Sequence, residues 1–143
     1  MLDRRELTQV IADLGLAQRL IASARRHLAS AELVADEDAE LAYAAVHDAV
    51  RKAMAAMLQA QGLRATTSGG HIAVQHAIRA QFAASMGSLL RPIDRIRVTR
   101  HSAEYPSSDT YIDADAVRAD IPVAKAVVDA ADSAVNHLPV FKT

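Results

Sequence analysis

Alanine fills 31 of this chain's 143 positions, and only 5 glycines and 4 prolines are present to interrupt it. Alanine is the strongest helix former, whereas β-branched and aromatic residues favour pleated sheets and are sparse here. With no tryptophan, 3 tyrosines and 2 phenylalanines, the core must rest on Leu, Ile, Val, Met and Ala. Side chains of that size let helices approach closely. The chain is expected to be all-α.

Apolar spacing divides it into helices. "LDRRELTQVIADLG" predicts a short N-terminal helix, with Asp3 as N-cap, Glu6 completing a capping box, and Leu7, Val10, Ile11 and Leu14 on one side. Gly15 either ends it or lies within a longer helix. "LAQRLIASARRHLASAELVA" predicts a second run, with Leu16, Leu20, Ala24, Leu28 and Leu33 or Val34 aligned and Arg19, Arg25 and Arg26 away from them. "DEDAE" supplies a cap and an acidic first turn for a long helix over about 39–61, closed by Gly62. Val46, Val50, Met54, Met57 and Leu58 form its stripe, and Asp48 and Lys52 can pair at i, i+4 outside. "HIAVQHAIRAQFAASM" starts a third helix, which Gly87 and Pro92 break and "IDRIRVTRHSAE" resumes. The last helix runs from about 113 to 137, with Pro122 as its first turn or a kink. Short connections make the simplest arrangement an up-and-down antiparallel four-helix bundle, with an extra short N-terminal helix and a broken third helix, in one domain over 1–143.

Several function classes lose their support at this stage. The chain has no cysteine, which removes disulfides, zinc ribbons and thiol nucleophiles and fits a reducing cytoplasm. "MLDRRELTQV" lacks the apolar run of an export signal, and no stretch of 18 or more apolar residues could span a membrane. A cytoplasmic protein is expected. The 16 basic and 17 acidic residues give net charge −1, so any nucleic-acid contact must come from local clustering. His71 and His76 are five apart, turned about 140° from each other on a helix and poor joint ligands. His27, His47 and His137 read as surface or rim residues, and no metal or cofactor is called for. "TTSGGH" has neither a phosphate-loop ending nor, around Ser68, a nucleophile elbow, and reads as a helix-start loop.

"LLRPIDRIRVTRHSAEYP", residues 89–106, is different. No alanine lies between Ser85 and Ser102, while residues 91–101 carry Arg91, Arg95, Arg97 and Arg100 against Asp94 alone. Arg97 and His101 share a helix face, as do Arg100 and Glu104. Arginine offers a rigid fork of donors to phosphate oxygens, and histidine exchanges a proton near neutral pH. RNA cleavage by transesterification needs a base for the 2′-hydroxyl, cations for the pentavalent phosphate and an acid for the leaving oxygen. The competing account is a solvated basic face with an Arg100–Glu104 pair worth about 0.3–0.5 kcal/mol.

In this order the segments resemble the HEPN superfamily, small bundles found in toxin–antitoxin and other defence systems. "RLIASARRHLASAELVADEDAELAYAAVHDAVRKAMAAMLQAQGLRA" is similar to that family's first helical hairpin, including a lysine like Lys52. "GGHIAVQHAI" resembles the start of its third helix, and "RHSAEYP" the arginine-plus-polar signature near that helix's end. The resemblance covers most of residues 16–137. It implies a homodimer whose signature arginines meet in one cleft, with RNA as substrate, no cofactor, and in some members a nucleotidyltransferase-type antitoxin that modifies a tyrosine close to the signature. The family pattern is an arginine, four to six residues, then a histidine. One register takes Arg100 with His101 as its polar neighbour and puts Tyr105 in the histidine's place. The other pairs Arg95 with His101, but Ile96 then follows the arginine. The first matches its surroundings better. It implies Arg100, His101 and Tyr105 as the catalytic set, Glu104 in support, and Arg91, Arg95 and Arg97 as phosphate contacts, with Tyr105 also the candidate for modification.

Overall fold

The structure, a computed structural model, describes residues 7–9, 11–60, 63–65, 88–89, 91–102 and 111–136. In chain order these form strand β1 (Leu7–Gln9), helix α1 (Leu14–Val34), helix α2 (Ala39–Ala60) and strand β2 (Leu63–Ala65). Helix α3 follows, described at 88–89 and 91–102, and then helix α4 (Ala114–Val135).

Three aspartates start three helices. Asp13, Asp38 and Asp113 accept the backbone N–H of Leu16 (2.9 Å), Leu41 (3.1 Å) and Ala116 (2.8 Å), each satisfying an otherwise orphaned first-turn donor. Gly15 leaves room for the first of these caps, since a methyl there would stand 3.3 Å from the Asp13 carboxylate. Pro122 lies inside α4 without ending it. The Arg118 carbonyl four residues back loses its helical donor, but both residues are on the exposed face, where water can replace it.

Interhelical contacts set the directions. Lys52 of α2 reaches Ser23 and His27 of α1, and Gln59 reaches back to Ile11, so α1 and α2 are antiparallel. Arg25 meets Asp129 and Asp132 while Asp36 meets Arg118, so α1 and α4 are antiparallel too. Tyr43, near the start of α2, meets Asp120, near the start of α4; those two run parallel. The directions of these three helices agree with the up-and-down pattern that short connections predict.

Alanine takes the centre of the seam. Ala17, Ala24 and Ala31 of α1 are fully buried, alternating with Ile21 and Leu28. Leu16 and Leu20, expected in the stripe, flank it half-buried, and Leu33 is 82% exposed. The smallest side chain occupies the closest approach of the backbones, and the leucines fill the shoulders. On α2 the expected stripe of Val46, Val50, Met54, Met57 and Leu58 is buried throughout.

The chain departs from expectation at its start. Leu7–Gln9 is a strand rather than part of a short helix, paired antiparallel with Leu63–Ala65 in the register Leu7↔Ala65, Thr8↔Arg64 and Gln9↔Leu63. Tertiary pairing overrides a weak local helix preference. The link is continued by Asp13, whose N–H donates to the Gln59 carbonyl at 3.3 Å, and by Gln59, whose side-chain amide donates to the Ile11 carbonyl at 3.2 Å. The cap is therefore Asp13, and Gly15 belongs to the first turn of α1. Asp3, Glu6, Gly62, the 71–86 helix and the Gly87 break lie outside the described residues.

Candidate functional site

Helix α3 is held down by Ile93 and Ile96, 1% and 0% exposed. Their spacing turns the remaining residues to defined sides. Arg97 and His101 share one flank, Arg91 and Arg95 the other, and Arg100 follows the isoleucines toward the bundle and is half-buried. Arg97 donates to Asp94 at 3.2 Å within its own helix. Arg91 and His101 are exposed. Glu104 and Tyr105 lie outside the described residues.

Arg95 has a structural partner. Its two terminal nitrogens donate to the two oxygens of Asp120, at 2.8 and 2.5 Å, and the Tyr43 hydroxyl donates to the same carboxylate at 2.5 Å. Asp120 is 5% exposed and Tyr43 0%. Burial alone would push the Asp120 carboxyl up, but the Arg95 fork and the Tyr43 hydroxyl outweigh it and hold it below the usual carboxylate range. Burial, and then the bond to Asp120, raise the Tyr43 phenol well above its ordinary value. The three side chains tie α2, α3 and α4 together. Arg95 therefore acts first as the clamp on α3, and the residues projecting beyond that clamp are Arg97, Arg100 and His101.

Sequence reasoning missed Asp120 and Tyr43, although each left a signal. Asp120 stands in the buried stripe of α4 between Val117 and Ala124, where a carboxylate requires a cation or donors. Tyr43 opens the stripe continued by Val46 and Val50, and its hydroxyl needs an acceptor.

A second polar cluster joins α1 to α2. Lys52 Nζ donates to Ser23 Oγ at 2.8 Å and lies 2.7 Å from His27 Nε2, with Ser23 Oγ 3.5 Å from that nitrogen. All three are half-buried. The expected Asp48–Lys52 pair does not form. Asp48 is approached instead by Arg51 at 3.5 Å and His47 at 3.8 Å, and the His47 hydrogen bond, followed by the Arg51 charge, lowers its carboxyl to about 2. Burial and then the neighbouring Lys52 charge lower the His27 imidazole below its ordinary value. The Lys52 ammonium can only donate, so its short contact with Nε2 is the one a neutral imidazole accepts. A serine–lysine nucleophile would further need backbone donors for an oxyanion, but the N–H groups around Ser23 lie in the middle of α1.

A shallow groove between α1 and α4 is lined by Leu28, Ala29 and Ile121 together with Arg25 and Lys125, both of which turn to Asp129. Among the described residues, no three His, Asp or Glu side chains gather at metal-ligating range. No described helix is long and apolar enough to cross a membrane. Comparison with protein-family models, curated proteins and solved structures finds no match for this chain.

Proposed function

We propose that this chain is a HEPN-type bundle that acts on RNA as a metal-independent endoribonuclease, through Arg97, Arg100 and His101 of α3. The observation that supports this reading is the clamp. Arg95, Asp120 and Tyr43 tie α3 to two other helices, which holds the backbone that carries the residues that follow. Preorganised cations are what a phosphorane-like transition state rewards. In the reaction, His101 accepts the proton of a 2′-hydroxyl, the 2′-oxygen bonds to phosphorus, and the P–O5′ bond breaks. The proton returns to the 5′-oxygen, so the step balances without a co-reactant. Arg97 and Arg100 neutralise the phosphate oxygens, with Arg91 as an outlying contact and Glu104 and Tyr105 completing the signature. The reading carries with it a homodimer that brings two such helix ends into one cleft, a cytoplasmic location, and a nucleotidyltransferase-type antitoxin as partner.

One observation favours a second reading. Arg95, the signature arginine of the Arg95–His101 register, already spends its fork on Asp120. The second reading is a non-catalytic module that binds RNA, a nucleotide or a protein partner with the same stretch of α3. Incubating cellular RNA with the purified protein in EDTA, beside Arg100→Ala and His101→Ala, separates the two. Cleavage that survives EDTA and disappears in both variants supports the nuclease. An intact substrate with well-folded protein overturns it in favour of the binding module.

A further inference from the structure

Among the described residues, long cations join one element to another at four places, Arg118 to the turn after α1 and the others between helices. Arg25 ends on Asp129 and Asp132, Arg95 on Asp120, and Arg118 on Asp36. Lys52 is the exception, since both of its acceptors, the Ser23 hydroxyl and the His27 imidazole, are neutral. An ammonium has three N–H donors, and among the described residues no carboxylate forms an ion pair with this one. Asp48, one turn back on α2, has the spacing to serve but is engaged by Arg51 and His47. The Asp48 carboxylate opposes the Lys52 charge at His27, and Arg26 and Arg51 add smaller positive contributions there. Among the described residues this half-buried ammonium meets only neutral acceptors, so an incoming anion would supply the charge partner they lack.

We propose that Ser23, His27 and Lys52 form a binding site for a tetrahedral oxyanion of the phosphate class, with Arg26 and Arg51 at its rim. The Lys52 ammonium and the Ser23 hydroxyl donate to the anion. Its charge draws a proton onto His27, whose protonated ring can no longer accept from Lys52 and becomes a further donor. Affinity therefore rises as pH falls, under the combined influence of Lys52, Arg51 and Asp48 from α2 and Arg26 from α1. The site is separate from the arginine helix. Lys52 is nine residues beyond Tyr43, half a turn around α2, so it faces α1 while Tyr43 faces the α3 clamp. The proposal stands whether or not the α3 reading holds.

The test is to follow the His27 imidazole resonances by NMR while adding inorganic phosphate at constant ionic strength, at about pH 6 and about pH 8. Dimethyl phosphate, whose charge is constant over that range, is titrated in parallel. It separates ligand titration from that of His27 and distinguishes a backbone phosphodiester from a free or terminal phosphate. The expected result is a saturable shift, several-fold tighter at the lower pH for dimethyl phosphate if diesters bind, abolished in Lys52→Met, weakened in Ser23→Ala and retained in Arg100→Ala. Response to inorganic phosphate alone identifies a free or terminal phosphate as the ligand. The proposal is overturned if His27 responds to neither ligand in the wild-type protein, or if the response survives in Lys52→Met.

Discussion

The Tyr43–Asp120–Arg95 clamp makes a quantitative demand on stability. In Tyr43→Phe the ring stays and no cavity opens, and Asp120 keeps both bonds from Arg95 at 2.8 and 2.5 Å. What disappears is the short hydrogen bond from a buried phenol to a buried carboxylate, together with the hydroxyl's lesser interactions with Thr99 and Arg95. Hydrogen bonds to charged groups contribute about 1.5–3 kcal/mol, and the loss should fall in that range. In Asp120→Ala the Tyr43 hydroxyl is left buried without this acceptor and Arg95 loses its partner. Arg95 is 53% exposed and can turn to water, so the expected cost is about 2–4 kcal/mol rather than that of a fully buried pair. Combining the two substitutions removes the orphaned hydroxyl, so their effects should fall short of additivity by about 1–2 kcal/mol. Urea unfolding at neutral pH measures all three variants, with an unchanged m-value as the check that only the native state is affected. Thermal midpoints should fall by about 3–4 °C per kcal/mol for a chain of this length. A Tyr43→Phe variant within about 0.5 kcal/mol of wild type, or strict additivity in the double variant, would refute the clamp.

Pro122 and His27 give two further expectations. Pro122→Ala restores an N–H inside α4 at an exposed position. The gain of up to about 3 kcal/mol in helix propensity exceeds the roughly 0.4–1 kcal/mol lost by freeing the unfolded chain, so the variant should be more stable by about 1–2 kcal/mol, and a lower urea midpoint would contradict this. His27 has a folded-state pKa below its unfolded value near 6.5, so the unfolded chain binds the extra proton as pH falls. Its contribution is fully present above about pH 6.5 and is lost between there and the lower folded value. His27→Gln should flatten that part of the stability profile, measured as urea midpoints from about pH 5 to 8; an unchanged slope would show that His27 does not carry it.

Helix positions were legible because apolar spacing and capping chemistry agree over long runs. Asp38 with the stripe from Val46 to Leu58 marks α2, and Asp113 with Val117, Ala124 and Val127 marks α4. The N-terminal strand was not legible, because Leu7 to Leu14 carry a helical pattern and the competing pairing comes from Leu63–Ala65, more than fifty residues away. On α1 Ala24 and Leu28 are buried as the apolar spacing predicts, and only the ends of that stripe shift by a step, for a physical reason. Hydrophobicity ranks leucine above alanine, but a close helix seam selects for size, so Ala17 and Ala31 lie deeper than Leu20 and Leu33. At the candidate site the arginine run was visible, but the different position of Arg95 was not. Its partner Asp120 is 25 residues downstream, on another helix.

The same close seam explains why long polar side chains pair across helices here. Alanine brings the backbones together, and a lysine or arginine at the edge then reaches an aspartate, serine or histidine on the neighbouring helix. Arg25 and Arg95 do so at 2.5–2.8 Å, and Arg118 reaches Asp36 in the turn that follows α1 at 2.7–2.9 Å. Lys52 has a choice that sequence spacing alone decides wrongly, because Asp48 is at the favourable i, i+4 offset. An exposed pair of that kind is worth only about 0.3–0.5 kcal/mol, and a partly desolvated interhelical contact competes with it easily. Asp48 meanwhile gains more from Arg51 and His47 together than from Lys52 alone. The ammonium is left on neutral acceptors, and the charge that local pairing would have cancelled remains at the α1–α2 junction.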